Sequence, residues 1–588
     1  MPKYVHKNAD FLDHLPEWAR ELAVKYGSKT ANLYIIHGNI RDFLPHESNG
    51  GEFIFALIKN YIAEELFGNQ DIIAFYDRSD GVSFCTDEML NDYNSIMSRR
   101  YPDSETEDFI SEDPEKSFKY LEKYFMMRIP KDAKTRCRMV LIVDYAETIV
   151  PAGDMLRYSD ADRYCLVTMQ RWANNPMFTD GDISIILLTE NLADLSLRLT
   201  ASPSTVKVNV PFPDVSVRST FLRSKEKEGL LLLERGLTAD GVAAVTSGLN
   251  LMNLERLVLE SHEADARLSL DYLSLKKKEM IENEAGGLLE FMETPYSLEA
   301  VAGHEFVKKQ FQNAAKAIKH GQLEVLPMGY LIAGPVGTGK SFMVSAFANE
   351  IGIPMVKFRN FRSKWQGVTE SNLEKVLNIL KSMSPVAVMI DEADAVLGDR
   401  DQEGDAGTSN RVFAQIASFM GDTTYRGRII WFLITCRPDL IPIDLKRQGR
   451  AEEHLALFYP ETEKEKVDLF ETLKKKLSFG VHSGFSIFDL FKKYQHEISG
   501  AEIEAMLIRA KQRAVMANRT MISKEDMEEV MADFIPPAYE HEIRLQNLVA
   551  SLECTSRRMI PKRFQLDNTK LINEIRDLKN LLGERTGS

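Results

Sequence analysis

Apolar positions fall into two textures that alternate along the chain. Short unbroken apolar runs at residues 33–36, 72–76, 139–143 and 184–188 have the length and branched composition of strands buried on both faces. Between them lie longer stretches with helical spacing. A leader helix is expected over residues 10–26 and another helix over 53–67. Strands alternating with helices predict a mostly parallel α/β layer. Residues 101–116 are acidic and contain proline, which predicts a solvated loop, and residues 216–283 are mainly helical in pattern.

The plan then repeats. Residues 139–144 (MVLIVD) parallel 386–391 (VAVMID), and 185–189 (IILLT) parallel 431–435 (WFLIT). Ser247-Gly248-Leu249 and Ser499-Gly500-Ala501 each precede a helix. Two copies of one architecture follow from this. The expected organisation is a leader helix (1–30), an α/β domain (31–215), its helical lid (216–285), a linker (286–300), a second α/β domain (301–458), its lid (459–535) and a helical tail (536–588). In the tail, Leu571, Ile575, Leu578 and Leu582 form one helical stripe, which would pack on its own lid or bind a partner.

The copies differ where chemistry would live. In the second, residues 328–333 predict a buried strand and 341–351 a helix. Between them run Gly334, Pro335, Val336, Gly337, Thr338, Gly339, Lys340 and Ser341, with Phe342 following. Glycines let the backbone approach phosphate oxygens closely, and the freed N–H groups with the helix N-terminus make an anion nest. Lys340 would reach the β- and γ-phosphates, and Ser341 would ligate Mg²⁺. About fifty residues on, a strand ends in Asp391-Glu392. Asp391 would hold the metal, partly through water, and Glu392 would orient and deprotonate an attacking water. The expected ligands are therefore a nucleoside triphosphate and Mg²⁺. The first copy offers His37-Gly38-Asn39-Ile40-Arg41-Asp42 in place of the loop, and its strand ends in Asp144-Tyr145. With neither the lysine nor the base, it is expected to be structural or regulatory.

Composition narrows the partners. The 588 residues carry a net charge of −14 and no long basic block, which disfavours nucleic acid. Five scattered cysteines suit a reducing, cytoplasmic compartment. No signal-type h-region is visible, and no apolar run approaches a membrane span.

Residues 297–535 resemble the AAA clade of AAA+ ATPases, the katanin- and NSF-like machines. Beyond the two nucleotide motifs, four segments carry the resemblance. Val301-Ala302-Gly303 with Lys308 resembles the family's opening segment, and residues 434–439 (ITCRPD) its "ATNRPD" strand end. Residues 445–450 (LKRQGR) resemble its "LRRPGR" segment, and 499–503 (SGAEI) its "SGAD-I" lid motif. The resemblance implies tandem modules, each a parallel five-stranded sheet with a helical lid, in a homo-oligomeric, usually hexameric, ring. It implies that Arg447 and Arg450 reach a neighbouring subunit's site, and that Cys436 replaces the sensor asparagine. It also implies that Lys364, Trp365 and Gln366 lie in a pore loop gripping a polypeptide, with 399–408 a second such loop. The function implied is ATP-driven remodelling of an unidentified protein substrate. The alternative is a slow ATP-gated switch or scaffold.

Overall fold

The computed structural model describes residues 15–47, 53–104, 106–129, 137–153, 155–319, 322–351, 353–359, 370–397, 406–482, 486–493, 497–535 and 539–583. The chain divides into two compact units: residues 1–286 with 367–383, and 287–366 with 384–588.

The first unit is built on six strands: β1 (Leu33–Gly38), β2 (Ile72–Asp77), β3 (Gly81–Phe84), β4 (Met139–Val143), β5 (Ile183–Thr189) and β6 (Thr205–Val210). Their order is β3-β2-β4-β5-β1-β6. All neighbours are parallel except β2 and β3, which form an antiparallel edge. Successive residues of β1 face opposite cores. Leu33 and Ile35 join the cluster of Phe118, Trp172 and Leu187, while Tyr34 and Ile36 join that of Trp18, Ile62 and Val208. Burial on both faces is why these strands are uninterrupted apolar runs. Four helices complete the unit's helical domain: Val215–Lys227, Ala239–Val245, Leu251–Glu263 and Leu270–Glu284.

The second unit repeats this sheet with β7 (Leu289–Met292), β8 (Gly329–Ala333), β9 (Met355–Phe358), β10 (Val386–Ile390), β11 (Ile429–Thr435) and β12 (Glu453–Ala456). Read from the antiparallel edge, the order is β7-β9-β10-β11-β8-β12, and its five parallel strands follow one another as those of the first sheet do. Four helices frame its site: α1 (Lys340–Ile351), α2 (Gly500–Met516) of the lid, and α3 (Glu540–Glu553) and α4 (Asn568–Leu581) of the tail.

Several expectations are corrected. Each sheet has six strands rather than five, because an antiparallel strand covers the β2 and β9 edges. In the first copy that strand follows its partner, and in the second it comes from residues 286–300, expected to be a linker. Residues 53–67 are not one helix. Phe53–Leu57 pairs antiparallel with Phe43–Glu47, and a helix begins only at Ile58. Aromatic and β-branched residues at 53–55 favour the strand once a partner is present. Residues 101–116 are not simply solvated: Phe109 is fully buried, and Asp113 caps a helix starting at Pro114. The tail packs on the sheet edge, with Leu545, Leu548, Phe564 and Leu571 buried against Ala333, Ala456 and Phe458. Each such side chain contributes about 1.5–3 kcal/mol, which is why the tail's stripe is apolar. The helix Glu370–Met383 lies between β9 and β10 in sequence yet groups with the first unit. There Glu374 lies 3.3 Å from His37 Nδ1 and also accepts the Ala193 N–H, and Lys375 faces Glu190 at 3.8 Å.

Candidate nucleotide site

At the end of β8 the chain turns into α1 through the glycine-rich loop. Gly334 has φ +141°, and a Cβ there would fall 2.0 Å from the Leu457 carbonyl oxygen, so no other residue fits. The first unit uses the same device: Gly38 ends β1 with φ +98°, and a Cβ would meet the Val210 carbonyl at 2.5 Å. Among the described residues, the N–H groups of Gly337, Thr338 and Gly339 have no hydrogen-bond partner. Three adjacent free donors at a helix N-terminus suit an anion.

Lys340 is buried under the loop. Its Nζ donates to the Gly334 and Pro335 carbonyls, each at 2.9 Å, and to Cys436 Sγ at 3.3 Å. Ser341 Oγ lies 3.2 Å from Asp391 Oδ2, so residues fifty apart in sequence converge. A hydroxyl and a carboxylate are hard oxygen donors suited to Mg²⁺. Lys357 on β9 also reaches Asp391, with Nζ at 2.9 Å from Oδ2. Glu392 follows in the left-handed region, φ +49°, with its side chain exposed. At the end of β11, buried Thr435 donates to Asp394 Oδ1 at 2.7 Å, which sets Cys436 beside Lys340. His304 comes against the loop by donating to the Thr338 carbonyl, and burial pushes its imidazole down to about 4.

The lid closes on the same loop. Ser499 caps α2 by accepting the Glu502 N–H, and Glu502 returns a bond to the Ser499 N–H. The Ala501 N–H reaches the Gly337 carbonyl at 3.4 Å. Arg447 is 60% exposed, whereas Arg450 is 13% exposed and donates to the Asp444 carbonyl at 2.6 Å. The two arginines of one motif therefore face different surroundings. Lys364, Trp365 and Gln366, with most of 399–408, lie outside the described residues.

The equivalent place in the first unit is filled by its own side chains. Arg41 donates to Asp144 Oδ1 at 2.7 Å and stacks on Tyr145, its guanidinium 3.8 Å from the ring centroid. Tyr145 has φ +49°, the backbone state of Glu392. Asp42 is almost fully buried and accepts the N–H groups of Leu251 and Met252 at 3.1 and 3.0 Å. Burial raises its carboxyl above the usual range, and the bonds it accepts offset only part of that.

Three family matches cover most of this architecture. The family described as "AAA+ chaperone, N-terminal Rossmann-like domain" matches residues 6–211, and "AAA+ chaperone, second helical domain" matches 216–286. "ATPase family associated with various cellular activities (AAA)" matches 330–459. The chain is a AAA+ ATPase. Among its relatives, an "Uncharacterized AAA domain-containing protein ycf46" of Guillardia theta is 25% identical over 60% of this chain and 70% of its own length. The "Cell division cycle protein 48 homolog" of Archaeoglobus fulgidus is 23% identical over 68% of the chain and 57% of that protein. The "Peroxisomal ATPase PEX6" of Saccharomyces cerevisiae is 28% identical over 38% and 22%.

The sequence singles out the loop, Asp391, Glu392 and Ser499, and the structure brings Ser341 to Asp391 and Ser499 to Gly337. Sequence reasoning missed Lys357, whose one signal is a charge inside a short buried strand. Among the described residues no cluster of three metal-ligating side chains occurs, and no helix is long and apolar enough to cross a membrane.

Proposed function

We propose that this ATPase hydrolyses ATP in its second module alone and uses the energy to remodel a protein substrate, as a cytoplasmic homo-oligomeric, hexameric ring. The observation that carries the reading is the convergence of Lys340, Ser341 and Asp391 in one module, against a first module whose site Arg41 fills. Ser341 and Asp391 would hold Mg²⁺, which when bound neutralises charge on the phosphate oxygens. Lys340 would exchange its carbonyl partners for the triphosphate. Glu392 would take the proton from the attacking water. Arg447 and Arg450 would complete a neighbouring subunit's site, and the exposure of Arg447 suits that role. Two chaperone families matching the first unit support a protein substrate, as does a net charge of −14.

A second reading, a slow ATP-gated switch or scaffold, is favoured by Cys436. Its thiol faces Lys340, where an asparagine would orient water better.

The test uses Glu392→Gln as a trap. With ATP it should capture a protein that the wild type then disassembles or unfolds. Trp365→Ala should keep basal turnover and lose that activity. Remodelling by Trp365→Ala at the normal rate would remove threading and favour the switch. Arg447→Ala and Arg450→Ala should each bind ATP yet lose turnover by about 10³-fold. Inactive Lys340→Ala subunits should rescue them in mixtures.

A further inference from the structure

The tail reaches the nucleotide site at two points. At the first, Gln546 on α3 accepts the Val336 N–H through Oε1 at 3.2 Å. The Val336 carbonyl accepts the Tyr459 hydroxyl at 2.7 Å. Both backbone groups of one loop residue are thus tied down, immediately before the three free N–H donors. At the second, Lys579 on α4 lies 2.6 Å from Asp439 Oδ2. Asp439 also takes Arg437 through both carboxylate oxygens, at 3.0 and 2.9 Å. The Arg437 N–H donates to Thr435 Oγ1 at 2.8 Å, next to Cys436. Burial would raise the Asp439 carboxyl, but Arg437 and Lys579 outweigh it and hold the group below its usual range.

The physical need for such anchors is in the loop itself. Gly334, Gly337 and Gly339 all have positive φ, and glycine loses more freedom on ordering than any other residue. A loop left free would have to be ordered by the nucleotide at a cost in affinity. Leu545 and Leu548 on α3 pack against Ala333, the residue before Gly334, so the anchor is rigid on the tail side.

We propose that α3 and α4 belong to the nucleotide site, with Gln546 a positioning residue that pre-organises the phosphate loop through Val336. This rests on the nucleotide reading above. Gln546 touches no reacting atom, so its loss weakens ATP and ADP binding alike and spares turnover at saturation.

The experiment uses the full chain and two readouts: amide hydrogen exchange over residues 334–341 without nucleotide, and binding of fluorescent ATP and ADP analogues. Gln546→Met keeps length and removes the acceptor. It should speed exchange at Val336 and raise both Kd values by about three- to tenfold. KM should rise with them, with kcat within about twofold. Gln546→Glu restores the acceptor and should restore Val336 protection. Unchanged exchange and unchanged affinity in Gln546→Met would overturn the proposal. If that variant also loses protection in β11, its fold has failed, and Lys579→Met decides: it should weaken both nucleotides, and unchanged affinity would overturn the proposal. If the wild type binds no nucleotide, the ATP reading fails, while the exchange result at Val336 remains readable.

Discussion

Asp144 and Asp391 end equivalent strands of equivalent sheets, and each is paired with a cation, but their surroundings differ. Asp144 accepts a guanidinium from its own module at 2.7 Å, with Tyr145 beneath that arginine. Asp391 accepts Ser341 and Lys357, beside a loop with free N–H donors. The backbone hardly distinguishes them. Gly38 and Gly334 make the same close approach to the neighbouring strand, and Tyr145 and Glu392 share φ +49°. Strand order is a matter of packing, and reaction chemistry is a matter of a few side chains at strand ends. One architecture therefore carries both a loop with free donors and a self-filled site.

The largest expected effect breaks the comparison directly. Lys340→Ala should abolish ATP binding and lower turnover by at least about 10²-fold, whereas Arg41→Ala should leave turnover within about twofold. Substantial ATPase activity in Lys340→Ala would mean that the first module works after all.

A smaller effect tests what the first module gained instead. Asp42→Ala leaves the N–H groups of Leu251 and Met252 without their acceptor, in a buried place. It should destabilise the chain by about 1–3 kcal/mol, read as a lower melting temperature, with turnover per folded subunit unchanged.

Over a single pH unit, the smallest effect is that of the His304 titration. The folded chain holds the His304 imidazole at about 4 by burial, against 6.5 for the free group. Above 6.5 both folded and unfolded states are neutral there and His304 adds no pH dependence. Between 6.5 and 4 the unfolded chain takes up a proton that the folded chain refuses. Stability should therefore fall as pH drops through that window, by at most about 1.4 kcal/mol per unit. His304→Gln should flatten melting temperature against pH across it. An identical slope in the variant would place the titration elsewhere.

Both sheets could be read from sequence because parallel strands buried on both faces are continuous apolar runs, as in β4 and β10. The glycine-rich loop and Asp391 stand out in the sequence because anion binding needs glycines, a lysine and a hydroxyl at fixed spacing. Residues 53–57 were misread because an antiparallel partner decides their state, and no local pattern reveals it. The closure of the first site by Arg41 depends on a contact with Asp144 across 103 positions. Gln546 meets Val336 across 210 positions. Such pairings come from the fold, and nothing in the spacing of either residue announces them.

The helix Glu370–Met383 has a consequence for synthesis. It groups with the first unit, yet a ribosome makes it only after the eighty residues from 287 to 366. At about 5–20 residues per second, the first unit's sheet waits for its last helix for on the order of ten seconds. Through that interval His37 and Glu190 lack the partners that Glu374 and Lys375 later supply. A gene divided at residue 287 would therefore leave the first unit without its last helix, however well that boundary suits the sequence.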